Sequence, residues 1–357
     1  MIRVLNLAGD AFQIGRQHGE QVADLRPQIE NSIKIRLAKL RENNPDFSPY
    51  INEITDIWGK YAPDTIEMLK GIAESLHLEW EEYFSYTIAS YLDSRFKNTE
   101  SERGCSTWAA NGKITRDGAP ILAKNRDYHP DHQPLQCLAR VKPTRGNSFL
   151  CLTSAGSPGV FSSGINDQGL AVVDTFVSST DVGPGIARYS LEMDILQKFS
   201  TVKEAIDYLP TRPHFGDGTI TLIDSQGDMA TFEIAHSVQE VRRSDVGFIV
   251  STNHFSAPQT HSLWVDREPE HLKGNTLGRR KWLENSLRSS KGKVDIAWAQ
   301  SVMAQHSNPL TAVCRHIELD PLCETISCVI YLPWQKAMVV ANGLPCKTPF
   351  EQVSVEN

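Results

Sequence analysis

The apolar pattern of this chain changes once, at Cys105, and any fold it adopts has to accommodate that change. Upstream, Val22, Leu25, Ile29, Ile33, Leu37 and Leu40 recur at steps of three and four, and Ile66, Leu69, Ile72 and Leu76 repeat the spacing. Such steps put one apolar stripe on a helix, so the segment before Cys105 reads as helical. Downstream, the short β-prone runs CSTWAAN, APILAKNRD, SFLCLTSAG, VFSSGIN and GLAVVDTFV are separated by Asn-Gly, Asp-Gly, Ser-Pro-Gly and Asn-Asp-Gln-Gly turns. That is the pattern of an antiparallel meander. Between the two regimes lies a polar run, Lys97 to Gly104, expected to be an exposed loop.

Helices are expected over Arg188–Phe199 and Val202–Leu209, the second opened by a capping box of Thr201 with Glu204. Strands TITLIDS, MATFEIA and GFIVSTNH follow, then helices around Arg279–Leu287 and Val294–Gln305, then the strand pair TISCVIYL and AMVVANG. Strand runs followed by helix pairs, twice over, predict an α+β fold of antiparallel sheets stacked face to face with helices outside. No linker divides the 357 residues, so a single domain is expected.

Composition narrows the function. The net charge of −7 argues against nucleic-acid and anionic-membrane partners. Neither a signal peptide nor a run of the roughly 18 apolar residues that a membrane span needs is present, and a cytoplasmic location is the expectation. The seven cysteines are scattered without a C-x-x-C pair, which suggests neither a disulfide framework nor a zinc site. No G-x-G-x-x-G or Walker pattern calls for a nucleotide, and no cofactor or metal is expected.

Three elements can carry chemistry. Gly104-Cys105 sits where the polar run becomes a strand, with Cys105 and Thr107 on one face. If the chain is cut between them, Cys105 owns both a thiol and a free α-amine. The amine's ordinary pKa of about 7.7–8.0 lies near the thiol's value of about 8.5, so it can serve as the general base. Taken alone, the dipeptide is more often a turn glycine before a buried cysteine. Asn125 and Asp127 share a face of the next strand, where Asp127 can orient the amine and Asn125 offers an amide donor. Asn253, in Ser251-Thr252-Asn253-His254, ends an apolar strand, a good place for an oxyanion donor.

Together these elements resemble the acyl-CoA:6-aminopenicillanate acyltransferase-like family of N-terminal nucleophile (Ntn) cysteine hydrolases. Ala11-Phe12-Gln13-Ile14-Gly15-Arg16-Gln17-His18-Gly19 is similar to the family's opening motif, and Leu69-Lys70-Gly71-Ile72-Ala73 matches in the second helix. Gly104-Cys105-Ser106-Thr107 resembles the self-cleavage site, Asn125-Arg126-Asp127 the Asn-x-Asp motif and Thr252-Asn253-His254 the Thr-Asn-His motif. The resemblance implies a four-layer αββα Ntn-hydrolase sandwich and autocatalytic cleavage into residues 1–104 and 105–357. It also implies amide hydrolysis or acyl transfer through a thioester. Cys105 would be the nucleophile, Asp127 and Thr107 would position it, and Asn253 would stabilise the oxyanion.

The chain departs from the penicillin acyltransferases at Leu322-Cys323-Glu324, where they carry Arg, and at Glu233-Ile234-Ala235, where they carry Ser. Hydrolysis of a small-molecule amide is therefore preferred, with a CoA thioester as a possible acyl donor in the alternative. The expected partners are that substrate, the two fragments of the chain itself and a second copy in a homo-oligomer. Arg315 is a candidate for a substrate carboxylate, evenly weighed against a surface salt bridge. His129, Asp131 and His132 read as a solvated loop rather than a metal site, and His18 reads as structural. Cys137, Cys151, Cys328 and Cys346 read as packing residues. The rivals are a papain-like enzyme pairing Cys105 with His254, and a catalytically silent binding protein of the same fold.

Overall fold

The computed structural model describes residues 2–44, 46–96, 104–156 and 163–356. Most of the polar run at 97–104, and the turn at 157–159, lie outside the described residues. A first strand β1 (Arg3–Gly9) precedes helices α1 (Ala11–Gln21), α2 (Arg26–Asn43), α3 (Ser48–Tyr61), α4 (Pro63–Leu76), α5 (Trp80–Thr87) and α6 (Ala89–Arg95). The helical expectation for this region thus misses β1. Seven residues give too short an alternation to register, and their partner lies far downstream.

After the change of pattern come β2 (Cys105–Ala110), β3 (Ile121–Tyr128), β4 (Gln136–Pro143), β5 (Phe149–Ser154), β6 (Ser163–Asn166) and β7 (Ala171–Phe176). Helices α7 (Arg188–Lys198) and α8 (Val202–Tyr208) follow, the latter with the expected Thr201–Glu204 capping box. The remainder is β8 (Gly218–Ile223), β9 (Met229–Ile234), β10 (Gln239–Arg242), β11 (Phe248–Ser251), α9 (Asn275–Ser289), α10 (Ile296–Met303), β12 (Glu324–Leu332), β13 (Ala337–Ala341) and β14 (Glu351–Ser354).

Among the described residues the strands form two sheets, ordered β1-β4-β5-β6-β7-β8-β9-β10 and β11-β2-β3-β12-β13-β14. They are antiparallel except at one edge, where β1 runs parallel to β4 from Arg3↔Cys137 to Gly9↔Pro143, a correction to the all-antiparallel expectation. The alternation of side chains along each strand builds the layers. Ala109 and Leu122 face Leu138, Leu150 and Val173 between the sheets. On the other side of the six-stranded sheet, Trp108, Ala123 and Val250 pack on Leu283 and Leu287 of α9 and on Ala299 and Met303 of α10. Helices α1–α8 cover the outer face of the eight-stranded sheet, with Ile29, Leu69, Ile72 and Leu196 against Leu5, Ala139 and Val172. The order is helices, sheet, sheet, helices, the αββα sandwich.

Candidate active site

Pairing of β2 with β3 sets Cys105 opposite Arg126, Ser106 opposite Asn125 and Thr107 opposite Lys124. Cross-strand partners share a face, so Cys105, Thr107, Lys124 and Arg126 point between the sheets while Ser106 and Asn125 point toward α9 and α10. Asn125 is therefore on the face opposite the thiol. Its amide donates to the carbonyls of Met303 at 2.8 Å and Val313 at 2.9 Å, a role in holding the segment after α10 rather than in supplying a donor to substrate. Thr107 lies deeper on the thiol's face, where its hydroxyl meets that of Thr175 at 3.3 Å across the intersheet space.

Gly104 has φ +85, a left-handed backbone where any side chain is strained. A Cβ at this position would also lie 2.7 Å from Asp127 Oδ2 and 2.9 Å from Arg315 Nη1, so only glycine fits before Cys105. The peptide that follows is held at several points. The Cys105 N–H donates to Asn253 Oδ1 at 2.9 Å, and the Cys105 carbonyl accepts from Arg279 Nη1 at 2.6 Å. Arg279, fully buried on α9, also donates to Ser106 Oγ, Asn253 Oδ1 and Asn275 Oδ1. The Asn253 amide donates to the Phe176 carbonyl at 2.8 Å, which leaves its second N–H for another acceptor. Asn253 thus touches the backbone nitrogen of Cys105.

Asp127, at the end of β3, accepts from Thr325 Oγ1 at 2.6 Å through Oδ1, while its buried Oδ2 faces Gly104 with no hydrogen-bond partner among the described residues. Burial raises its pKa, opposed by Arg279 and Arg315. Burial likewise raises the Cys105 thiol, opposed first by the Lys124 ammonium and also by the Asp127 backbone N–H. Lys124 is itself buried and bonds Asp174 Oδ1 at 2.6 Å on β7. Burial alone would lower Lys124, but Asp174 beside it holds its ammonium above the ordinary value. Asp174 also accepts from Arg188 at 3.0 Å, and Arg188 in turn pairs with Asp217. Cys105, Lys124, Asp174, Arg188, Tyr91 and Phe215 border a cavity of about 70 Å³.

The other sequence candidates separate from this centre. Arg315 is neither a surface residue nor free for a substrate carboxylate: it is buried, with its guanidinium on Glu268 at 2.9 and 3.3 Å and on Asp320 at 3.4 Å. His254 bonds the hydroxyls of Thr252 and Thr276, and its pKa is lowered to about 3 by burial and then by Arg280 and Arg279. Among the described residues no histidine bonds Cys105, which removes the geometric basis of the papain-like rival. His132 is buried against Ser154 Oγ at 2.8 Å rather than solvated, while His129 is exposed. His18, on α1, accepts from the Gly156 N–H at 2.9 Å and is structural, as expected.

Sequence reasoning singled out neither Lys124 as the cation that most favours the thiolate nor Arg279 as the anchor of the Cys105 peptide. One Arg among several cations on a largely polar helix has no periodic signature. Glu233 stands in the sequence only as part of a departure from the penicillin acyltransferases. Its carboxylate accepts from Ser256 N, Ala257 N and Thr260 Oγ1, and so shapes the chain that leaves Asn253.

Residues 114–338 match the family model described as acyl-coenzyme A:6-aminopenicillanic acid acyl-transferase. That match begins after Cys105. No curated protein sequence matches significantly. Among solved structures, a variant of conjugated bile acid hydrolase from Clostridium perfringens is similar at 12% identity and TM-score 0.45, over 70% of this chain and 97% of that one. Penicillin V acylase from Agrobacterium tumefaciens is similar at 14% identity and TM-score 0.41, over 70% of this chain and 86% of that one.

Proposed function

Because the chain belongs to the acyl-coenzyme A:6-aminopenicillanic acid acyl-transferase family, we propose that it is a self-processing amidohydrolase whose nucleophile is Cys105 once the Gly104–Cys105 bond is cut. The observation that carries this reading is the junction itself. A left-handed Gly104 precedes a cysteine whose N–H is held by Asn253 and whose carbonyl is held by Arg279.

The first acyl transfer is intramolecular. The Cys105 sulfur attacks the Gly104 carbonyl and the C–S bond forms. The Gly104–Cys105 C–N bond then breaks, and the departing amine takes up the proton that the thiol lost. Water opens the thioester to a Gly104 carboxylate and a free thiol. The second use of the site is intermolecular. The new α-amine accepts the thiol proton, the thiolate attacks a substrate amide, and the proton passes to the leaving amine. Asn253, with one amide N–H committed to Phe176, has the other for the oxyanion. Water then releases the acyl group.

Gly104 lines the same cavity as Cys105, so cleavage and withdrawal of Gly104 would open room for substrate beside the thiol. Hydrolysis is preferred to CoA-dependent transfer on the two departures at Glu233-Ile234-Ala235 and Leu322-Cys323-Glu324. The test is Cys105→Ala beside Cys105→Ser. The alanine variant is expected to stay as one chain and the serine variant to be cut slowly, the alcohol being the poorer nucleophile. Cleavage of the alanine variant at the same bond would refute self-processing.

A further inference from the structure

Four side chains converge beyond the end of α10. His306, Cys314, His316 and Cys346 each present a nitrogen or sulfur, and these atoms all lie within 4.8 Å of one another. We propose that they form a closed structural zinc site. Cys314 Sγ lies 3.7 Å from Cys346 Sγ and 3.7 Å from His316 Nε2, and Cys346 Sγ lies 3.4 Å from His316 Nε2. A tetrahedral zinc with Zn–S of about 2.3 Å and Zn–N of about 2.0–2.1 Å separates its sulfurs by about 3.8 Å and each sulfur from each nitrogen by about 3.6 Å. The three edges among Cys314, Cys346 and His316 already stand near those lengths, and the His306 nitrogen lies within 4.8 Å of the other three ligand atoms.

The second contact of His306 agrees. His306 Nδ1 lies 2.8 Å from the Ala304 carbonyl, which can only accept, so Nδ1 carries the hydrogen and Nε2 keeps its lone pair for a metal. The two imidazole rings are 4.6 Å apart, and His316 Nδ1 points toward Glu318 Oε2 at 3.9 Å.

Sequence spacing gives no hint of this set. Only Cys314-Arg315-His316 is compact, while His306 and Cys346 come from other loops. The site would fasten the segment that carries Arg315. From that segment Arg315 N donates to Thr325 Oγ1 at 2.8 Å, and the same hydroxyl donates to Asp127 at 2.6 Å. Zinc here would be structural, with four protein ligands and no open position. Its presence does not depend on the chemistry at Cys105.

The test is metal content of the full chain, expressed with added zinc and freed of loose metal by gel filtration. About one zinc per chain is expected, lost in Cys314→Ser and in Cys346→Ser, and kept in Cys328→Ser, whose sulfur lies in the core. If the ligand variants fail to fold, cobalt replacement in the wild-type chain decides: two thiolates and two imidazoles give sulfur-to-cobalt charge transfer with intense tetrahedral visible bands. A wild-type chain without zinc or such a cobalt spectrum would overturn the proposal. So would zinc retained in both serine variants, or a Cys314–Cys346 disulfide in freshly isolated protein.

Discussion

At the residue scale, the Cys105 peptide is fixed by side chains that never need to touch substrate. Arg279 serves the Cys105 carbonyl, Ser106 and Asn253 from one buried guanidinium. Removing it takes a charged donor from the Cys105 carbonyl and Ser106 and leaves Asn253 Oδ1 with the Cys105 N–H, so Arg279→Ala is expected to lose about 2–4 kcal/mol of stability and to slow processing. Arg279→Lys keeps the charge but not the fork, and should regain stability more fully than processing rate. A denaturant titration beside a cleavage time course separates the two, and equal recovery of both would argue against a positioning role. The thiol sets a pH dependence. Burial holds its pKa above the ordinary value, so near neutrality only a small fraction is thiolate, and that fraction grows with pH. Processing followed after rapid dilution from denaturant at different pH should accelerate about tenfold per pH unit between neutrality and the folded pKa. A rate that falls over that range would rule out thiolate attack. The cysteine and its face were legible from strand alternation alone. Lys124 and Asp174 were not, because their pairing crosses from one sheet to the other and leaves no local pattern.

At the element scale, the two N-terminal motifs that carry the family resemblance have a packing explanation. Helices α1 and α4 touch through glycines. A Cβ on Gly15 would lie 1.9 Å from the Met68 carbonyl oxygen, and one on Gly71 would lie 2.3 Å from that of Phe12. Neither obstacle is a side chain that can rotate away. Gly15→Ala and Gly71→Ala should therefore each cost about 1–3 kcal/mol or more by forcing the helices apart, with the chemistry of Cys105 otherwise unchanged. Urea midpoints with unchanged slopes would measure this, and wild-type stability in Gly15→Ala would contradict it. Turn signals and the Thr201 capping box made the strand and helix order readable. The β1–β4 pairing was hidden because a parallel partner more than a hundred residues away leaves no hairpin signature.

At the scale of the whole molecule, a cut before Cys105 separates neither layer nor core. Strand β1 belongs to the first fragment but pairs along its length with β4 of the second, and α1–α6 pack into the core that covers the same sheet. The fragments should co-elute in native gel filtration and part only in denaturant. Acid sensitivity is also a property of the whole fold. His18 and His214 have their pKa values lowered to about 4, and His254 to about 3, by burial above all. Unfolded, each would bind a proton near 6.5. Their contribution is therefore present above that value and is lost as pH falls toward 4 and below, by about 1.4 kcal/mol per pH unit for each. Unfolding curves across pH 7 to 4 should show the decline, and His18→Gln should flatten it. The αββα order was predictable from alternating runs of strands and helices, whereas the cluster at Cys314 and Cys346 exists only once distant loops meet. The central claim rests on one bond. Intact mass with N-terminal sequencing of the purified wild-type protein should find two fragments, 1–104 and 105–357, the second beginning at Cys105. A single uncut chain that nevertheless hydrolyses amides would contradict it.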